Sequence, residues 1–140
     1  MPRTTRKGNI NQDRARKILE AEGYTVHMAQ RTTYRTKTGR WISHSNDVFN
    51  AFDIIATKYG EKPLWIQVTQ GWNNVWKRKD KIDKVPLDLE YNRIQIWVWI
   101  GGRKRLDKRY KKKKVYIKSQ IFVIYEKTPE GWKQVGEIKG

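Results

Sequence analysis

The 140-residue sequence has no cysteine, which excludes disulfides, thiolate-ligated zinc and a thiol nucleophile. It has only two histidines, His27 and His44, so an imidazole-built zinc site is not expected either. His44, three residues before Asp47, could serve as a ligand or base, but a histidine among serines is more often a turn residue, and His27 reads as an ordinary strand residue. No G-x-G-x-x-G or P-loop pattern occurs, so nothing points to a dinucleotide or ATP. No run reaches the roughly 18 apolar residues of a membrane span. The first ten residues carry no apolar stretch, so no secretory signal is expected, and the expected location is the cytoplasm of a prokaryote or of a virus-infected cell.

Acidic residues are also scarce: 14 Asp plus Glu stand against 31 Lys plus Arg, a formal net charge of +17. A field of that sign draws polyanions, and nucleic acid is the first expectation. An anionic membrane surface is the alternative that charge alone leaves open, and no membrane association is expected here. Seven Trp and seven Tyr argue against disorder, because disordered chains are poor in aromatics. The length suits one folded unit, 9–140, preceded by a basic, flexible arm at 1–8.

From Asn9 or Asn11, either able to cap, the spacing of Ile10, Ala15, Ile18 and Leu19 predicts a helix of about three turns that stops at Gly23. A strand over 24–30, a basic hairpin over 31–45 with its tip near Thr38-Gly39, and a strand over 47–58 bent near Asn50 follow. In "PLWIQVT", Leu64, Ile66 and Val68 point one way and Trp65, Gln67 and Thr69 the other. A second helix is expected from the Asn73-Asn74 pair to Pro86, then an alternating strand over 93–100. A basic loop over 101–114, one long strand over 115–127 and a terminal hairpin complete an α/β or α+β order.

Asp53 lies inside an apolar run, and Gln67 and Thr69 share one face of the next strand. If the two strands pair, the three side chains converge, and oxygen ligands on rigid neighbouring strands suit Mg²⁺, an ion fitted to phosphodiester hydrolysis. The ordinary reading is that Asp53 ends a strand and that Gln67 and Thr69 face solvent. A carboxylate amid Phe52, Ile54 and Ile55 weakens it, because a buried charge needs a partner.

On "LEAEGYTV", "NDVFNAFDIIA", "LWIQVT" and "NVWKRKDKIDK", over about residues 10–84, the chain resembles the PD-(D/E)XK nuclease superfamily, and within it the archaeal Holliday-junction resolvase-like branch. The resemblance implies a restriction-endonuclease-like α/β fold. Its mixed central β-sheet is flanked by helices, here with a C-terminal β-hairpin extension. It implies an Mg²⁺- or Mn²⁺-dependent DNA endonuclease, with branched or structured DNA as substrate and a homodimer as the working form.

By the same resemblance Asp53 and Gln67 hold the metal, with the Val68 carbonyl and Asp47 as further ligands. Gln12, with Asp13 beside it, stands at the first-helix acid. The motif lysine is replaced by Thr69, which can hydrogen-bond but carries no charge. Lys79 or Lys81 on the following helix then stands in for it, with Lys77 and Arg78 nearby. A nuclease-fold protein that binds DNA or RNA without cutting is the alternative, favoured by Thr69 and Gln12. A small RNA-binding or ribosome-associated protein would fit the charge but leave Asp53 unexplained.

Nine of twelve residues from Arg103 to Lys114 are basic: Arg103, Lys104, Arg105, Lys108, Arg109, Lys111, Lys112, Lys113 and Lys114. Such a run neutralises phosphates and reads little sequence. Arg31, Arg35, Lys37 and Arg40 form a second basic cluster. Trp72 and Trp76 either anchor the second helix or stack on unpaired bases. Trp97 and Trp99 are expected on the opposite side of the sheet from the Ile face, or at a subunit interface.

Overall fold

The computed structural model describes residues 3–29, 31–45, 47–49, 51–72, 74–101, 103–106, 114–117 and 120–139, with the backbone alone for 3–9, 31–34, 42–45, 103–106 and 114–117. The protein is an α/β structure with a six-stranded mixed sheet and, among the described residues, two helices. No helix among these residues is long and apolar enough to cross a membrane.

Helix α1 spans Arg3–Ala21. It begins six residues before Asn9, so most of the expected arm at 1–8 is helical. Extending a formed helix costs far less than nucleating one, and arginine and lysine are good helix formers, so the apolar-striped segment propagates backwards through Gly8. Its stop is the expected one. Gly23 adopts φ 94°, a conformation open to glycine, while Tyr24 N–H donates to Leu19 O at 3.0 Å and Gly23 N–H to Glu20 O at 3.0 Å. The Lys58 ammonium donates to the Glu22 carbonyl at 2.8 Å and satisfies another helix-end acceptor.

The sheet order is β1 (Thr25–Met28), β4 (Ile54–Thr57), β5 (Leu64–Gln70), β6 (Arg93–Ile100), β9 (Ile121–Thr128) and β10 (Gly131–Lys139). All neighbours run antiparallel except β5 and β6, which are parallel and register Gln67 against Ile96 and Thr69 against Val98. A parallel pair needs a crossover, and α2 (Val75–Asp83) supplies it. Strands β2 (Arg31–Arg35) and β3 (Trp41–Ser45) form a separate hairpin whose tip holds Gly39 at φ 84°. The terminal pair β9–β10 is the expected hairpin, with a register shift between Gln134 and Gly136.

Two expectations change. The segment 47–58 is not one bent strand: β4 begins at Ile54, and Val48 and Phe52 close a tight turn before it. The basic stretch is not all loop, since β7 (Arg103–Leu106) pairs antiparallel with β8 (Lys114–Ile117). Of the expected strand 115–127, the described residues form β8 and β9, with Gln120 outside both, and 118–119 lie outside the described residues.

Both faces of the sheet are buried, as a parallel pair requires. Leu64, Ile66, Val68, Trp97, Trp99 and Phe122 pack with Ala15 and Leu19 of α1. Ile94, Ile96, Val98 and Phe52 pack with Val75 and Ile82 of α2. Each such side chain contributes about 1.5–3 kcal/mol on burial, so α1 and α2 are held mainly by these stripes. Trp97 and Trp99 lie in the core behind the Ile face, with ring contacts to Phe122 at 5.4 and 4.9 Å.

Candidate metal and catalytic site

The site forms where the Val48–Phe52 turn meets the middle of β5. Val48 N–H donates to Phe52 O at 2.9 Å and Phe52 N–H returns the bond to Val48 O at 3.0 Å. A reciprocal pair of this kind sets the flanking residues opposite one another, and those residues are Asp47 and Asp53. Asp53 is then fixed against β5 through its own backbone: its N–H donates to Ile66 O at 3.0 Å, and its carbonyl accepts from Ala29 N–H at 2.8 Å. Its side chain follows, with Oδ2 accepting from Val68 N–H at 2.9 Å and from Gln67 Nε2 at 2.8 Å. Gln67 Nε2 also donates to the Val68 carbonyl at 3.2 Å.

Asp53 is 3% exposed and Gln67 2% exposed. The Asp53 carboxyl is pushed up from 3.8 to about 7, first by burial and then by the charge of Asp47. The Val68 N–H pulls the other way, a hydrogen bond with Asp47 again favours the protonated form, and the Arg78 guanidinium adds a weaker downward pull. The balance decides the character of the site. Charge-assisted bonds contribute about 1.5–3 kcal/mol each, yet burial and a second carboxyl outweigh them. Asp53 therefore keeps its proton well above the usual carboxylate range.

One polar atom here is left over. Among the described residues, Gln67 Oε1 is the buried side-chain atom with no hydrogen-bond partner. A buried amide oxygen without a donor costs about 1–3 kcal/mol. It belongs to the amide whose Nε2 donates to Asp53 Oδ2 and to the Val68 carbonyl. With that amide turned over, a cation would satisfy the combination: it would accept the oxygen's lone pair and neutralise the acids. The residues present therefore fit a hard divalent ion. No cluster of three acid, histidine or cysteine side chains occurs among the described residues, so amide and carbonyl oxygens must complete the ligand set.

The other expected site residues distribute unevenly. Thr69 is buried on the same face of β5 as Gln67. Of the basic residues on α2, Arg78 is the one whose charge acts on Asp53. It lies three residues after Val75 and four before Ile82, both buried, so it belongs to the inward stripe. Lys79 turns to aromatic rings instead, with its ammonium 4.6 Å from the Trp76 ring centre and 4.8 Å from that of Tyr125. Lys77 and Lys81 are exposed.

On α1, Gln12 is half-buried, and Asp13 is drawn into ion pairs with Arg16 and Lys17 along the helix. The buried polar residue there is Asn11, whose Oδ1 accepts from Arg14 Nη1 at 3.1 Å. Its position, four residues before Ala15 and eight before Leu19, could have revealed this. Phe49 gave no sequence signal. It sits at φ 53°, 60% exposed, on the turn between the two acids, with its ring 5.7 Å from Trp65. A bulky residue held there stores about 1–3 kcal/mol of strain, a pattern that recurs at functional sites.

Arg35, Lys37 and Arg40 are exposed at the β2–β3 tip, whereas the Arg31 side chain lies outside the described residues. So do the side chains of Arg103, Lys104, Arg105, Lys114 and His44, and the whole of Lys108, Arg109, Lys111, Lys112 and Lys113. A separate cleft of about 830 Å³, by the first residues of β5 and β6, is lined by Glu61, Asp88, Glu90 and Glu126 as well as by Lys62, Arg93 and Lys127. Its four acids make it a poor seat for phosphate.

No family model, curated protein or solved structure matches the chain.

Proposed function

We propose that the protein is a divalent-cation-dependent DNA endonuclease of the PD-(D/E)XK type. One observation carries the reading: a buried carboxyl raised to about 7, hydrogen-bonded to a second carboxyl and to a buried amide whose oxygen has no partner. Purely structural polar groups in a core are normally satisfied within the protein, and a strongly perturbed acid beside an orphaned acceptor marks a functional site. The order of a helix, a mixed sheet and a second helix agrees with what the resemblance implies, and the +17 charge suits a polyanionic substrate.

In this reading Asp53, Asp47, Gln67 Oε1 and the Val68 carbonyl hold Mg²⁺ or Mn²⁺. Gln67 would hold the ion through Oε1, with the amide turned over from the orientation in which Nε2 donates to Asp53. The ion would supply positive charge beside the scissile phosphate and a more acidic water for its hydrolysis. The chain's own groups do the rest. Arg78 provides the fixed charge that Thr69 lacks and stabilises the phosphorane-like transition state. Thr69 offers a hydroxyl to the phosphate or its water. The basic segments hold the DNA arms, with branched or structured DNA as the proposed substrate and a homodimer as the proposed form.

The alternative, a nuclease-fold protein that binds nucleic acid without cutting, is favoured by Thr69 and by the amide at Gln67. Labelled branched, duplex and single-stranded DNA incubated with Mg²⁺ or Mn²⁺ separates the two. The nuclease reading expects cleavage of at least one substrate, lost in Asp53→Ala while binding persists. Tight binding with no cation-dependent cleavage of any of them leaves only the alternative.

A further inference from the structure

Helix α2 divides its basic residues between two surfaces. Arg78 serves Asp53, but Lys79 lies in an aromatic cluster. Its ammonium is 4.6 Å from the ring centre of Trp76, 4.8 Å from that of Tyr125 and 6.0 Å from that of Trp132. Trp72 extends the cluster, meeting Tyr125 edge-on at 6.1 Å. Tyr125 and Trp132 are half-buried and serve as the backing: Trp132 Nε1 donates to Asp83 Oδ1 at 3.3 Å, and Lys127 pairs with Asp83 at 3.1 Å, which ties the terminal hairpin to α2. Trp72 and Trp76 are not needed for that tie, and they remain 49% and 74% exposed.

Two indoles left largely in water on a charged chain call for an occupant. The surrounding charge selects its chemistry. Lys79 sits among the rings, Lys77 and Lys81 are exposed on the same helix, and the chain as a whole carries +17. Flat apolar faces interleaved with cations match an unpaired nucleic-acid strand, whose bases stack while its phosphates meet the ammonium groups. A duplex hides its base faces and could use only the charges. Placement agrees: Gly71, at φ 68° and anchored by its N–H to Trp99 O at 3.0 Å, turns the chain straight from the end of β5 into Trp72.

We propose that Trp72 and Trp76, backed by Tyr125 and Trp132 with the Lys79 ammonium among them, form a stacking platform for an unpaired DNA strand beside the Asp53–Gln67 site. The inference deepens the nuclease reading, from which it takes DNA as the polymer, and assigns the substrate class as DNA with a single-stranded segment next to the cut.

Fluorescence anisotropy with labelled oligo-thymidylate and with a hairpin duplex tests it on the full chain. Replacing both indoles, Trp72→Ala with Trp76→Ala, should weaken oligo-thymidylate binding by about tenfold or more, while duplex affinity changes less than about twofold. The pair Trp72→Phe with Trp76→Phe keeps flat rings and should stay within about threefold of the parent on both. Equal loss on strand and duplex, or no loss on the strand, overturns the platform, as does a tenfold preference for oligo-uridylate RNA. Asp53→Asn distinguishes the two levels: it should abolish cleavage yet keep the strand preference. If the unaltered protein cuts nothing while the alanine pair still loses the strand selectively, the nuclease reading fails and the platform stands.

Discussion

Asp53 is the residue on which the proposed chemistry would turn, and its burial makes a distinctive pH signature. Its carboxyl is raised from 3.8 to about 7 in the folded protein. Between those values the folded chain keeps a proton that the unfolded chain has lost, so stability falls as pH rises through that window. The slope approaches 1.4 kcal/mol per pH unit, on the order of 4 kcal/mol in all. Denaturant melts in chelator at pH 5 and pH 8 should show the part of this loss that lies above pH 5, about 3 kcal/mol, and Asp53→Asn, which cannot ionise, should lose far less. An identical slope in both proteins would mean that Asp53 is an ordinary carboxylate. Gln67→Glu probes the orphaned oxygen from the other side. A third carboxyl in this pocket should destabilise the protein by roughly 3 kcal/mol without cation, and Mn²⁺ should restore the melting temperature. The convergence of Asp53 with Gln67 was legible, because residues two apart on a strand share a face and the apolar neighbours made a surface carboxylate implausible. Asp47's contact was suggested only by the resemblance, and Phe49's strain not at all. Both come from a turn closed by backbone bonds between Val48 and Phe52, whose side chains are equally suited to a strand.

Helix α2 is the element that links site and surface, and its phase decides which cation does what. The sequence placed the helix but not its rotation to within one residue. Arg78 and Lys79 differ by about 100° around the axis, enough to send one toward Asp53 and the other into the rings of Trp76 and Tyr125. Arg78→Gln should therefore slow single-turnover cleavage by about a hundredfold while DNA affinity shifts only a few-fold. Lys81→Gln, on the exposed side, should shift affinity alone. If Lys81→Gln slows the chemical step as much as Arg78→Gln, the charge assignment is wrong. The same limit in phase explains α1. The stripe Asn11, Ala15, Leu19 faces the sheet, so Gln12 lies one position off it, and Asp13 is held along the helix by Arg16 and Lys17. Strand alternation was easier to read, since Leu64, Ile66 and Val68 on one side and Ile94, Ile96 and Val98 on the other fill two cores.

At the scale of the whole molecule, the proposed function has charge set the encounter and the site set the outcome. With +17 on 140 residues, duplex affinity should drop steeply with salt, by about 10³-fold or more between 50 and 200 mM if some six phosphates are contacted. Neutralising Lys111, Lys112, Lys113 and Lys114 together should flatten that slope by about the number of contacts removed. A parent slope near zero, or one unchanged by the four substitutions, would assign the basic run another role. Binding of this kind is shared by a nuclease and by a protein that only holds DNA, so salt cannot choose between them. The dependence of the single-turnover cleavage rate on Mn²⁺ concentration can, measured with DNA saturated by protein. The account predicts a rate that rises and saturates for the parent, a saturation point shifted to lower Mn²⁺ for Gln67→Glu, and a flat baseline for Asp53→Asn with its DNA still bound. A flat line for the parent on fully bound DNA, or an Asp53→Asn curve that overlays the parent's, would contradict it.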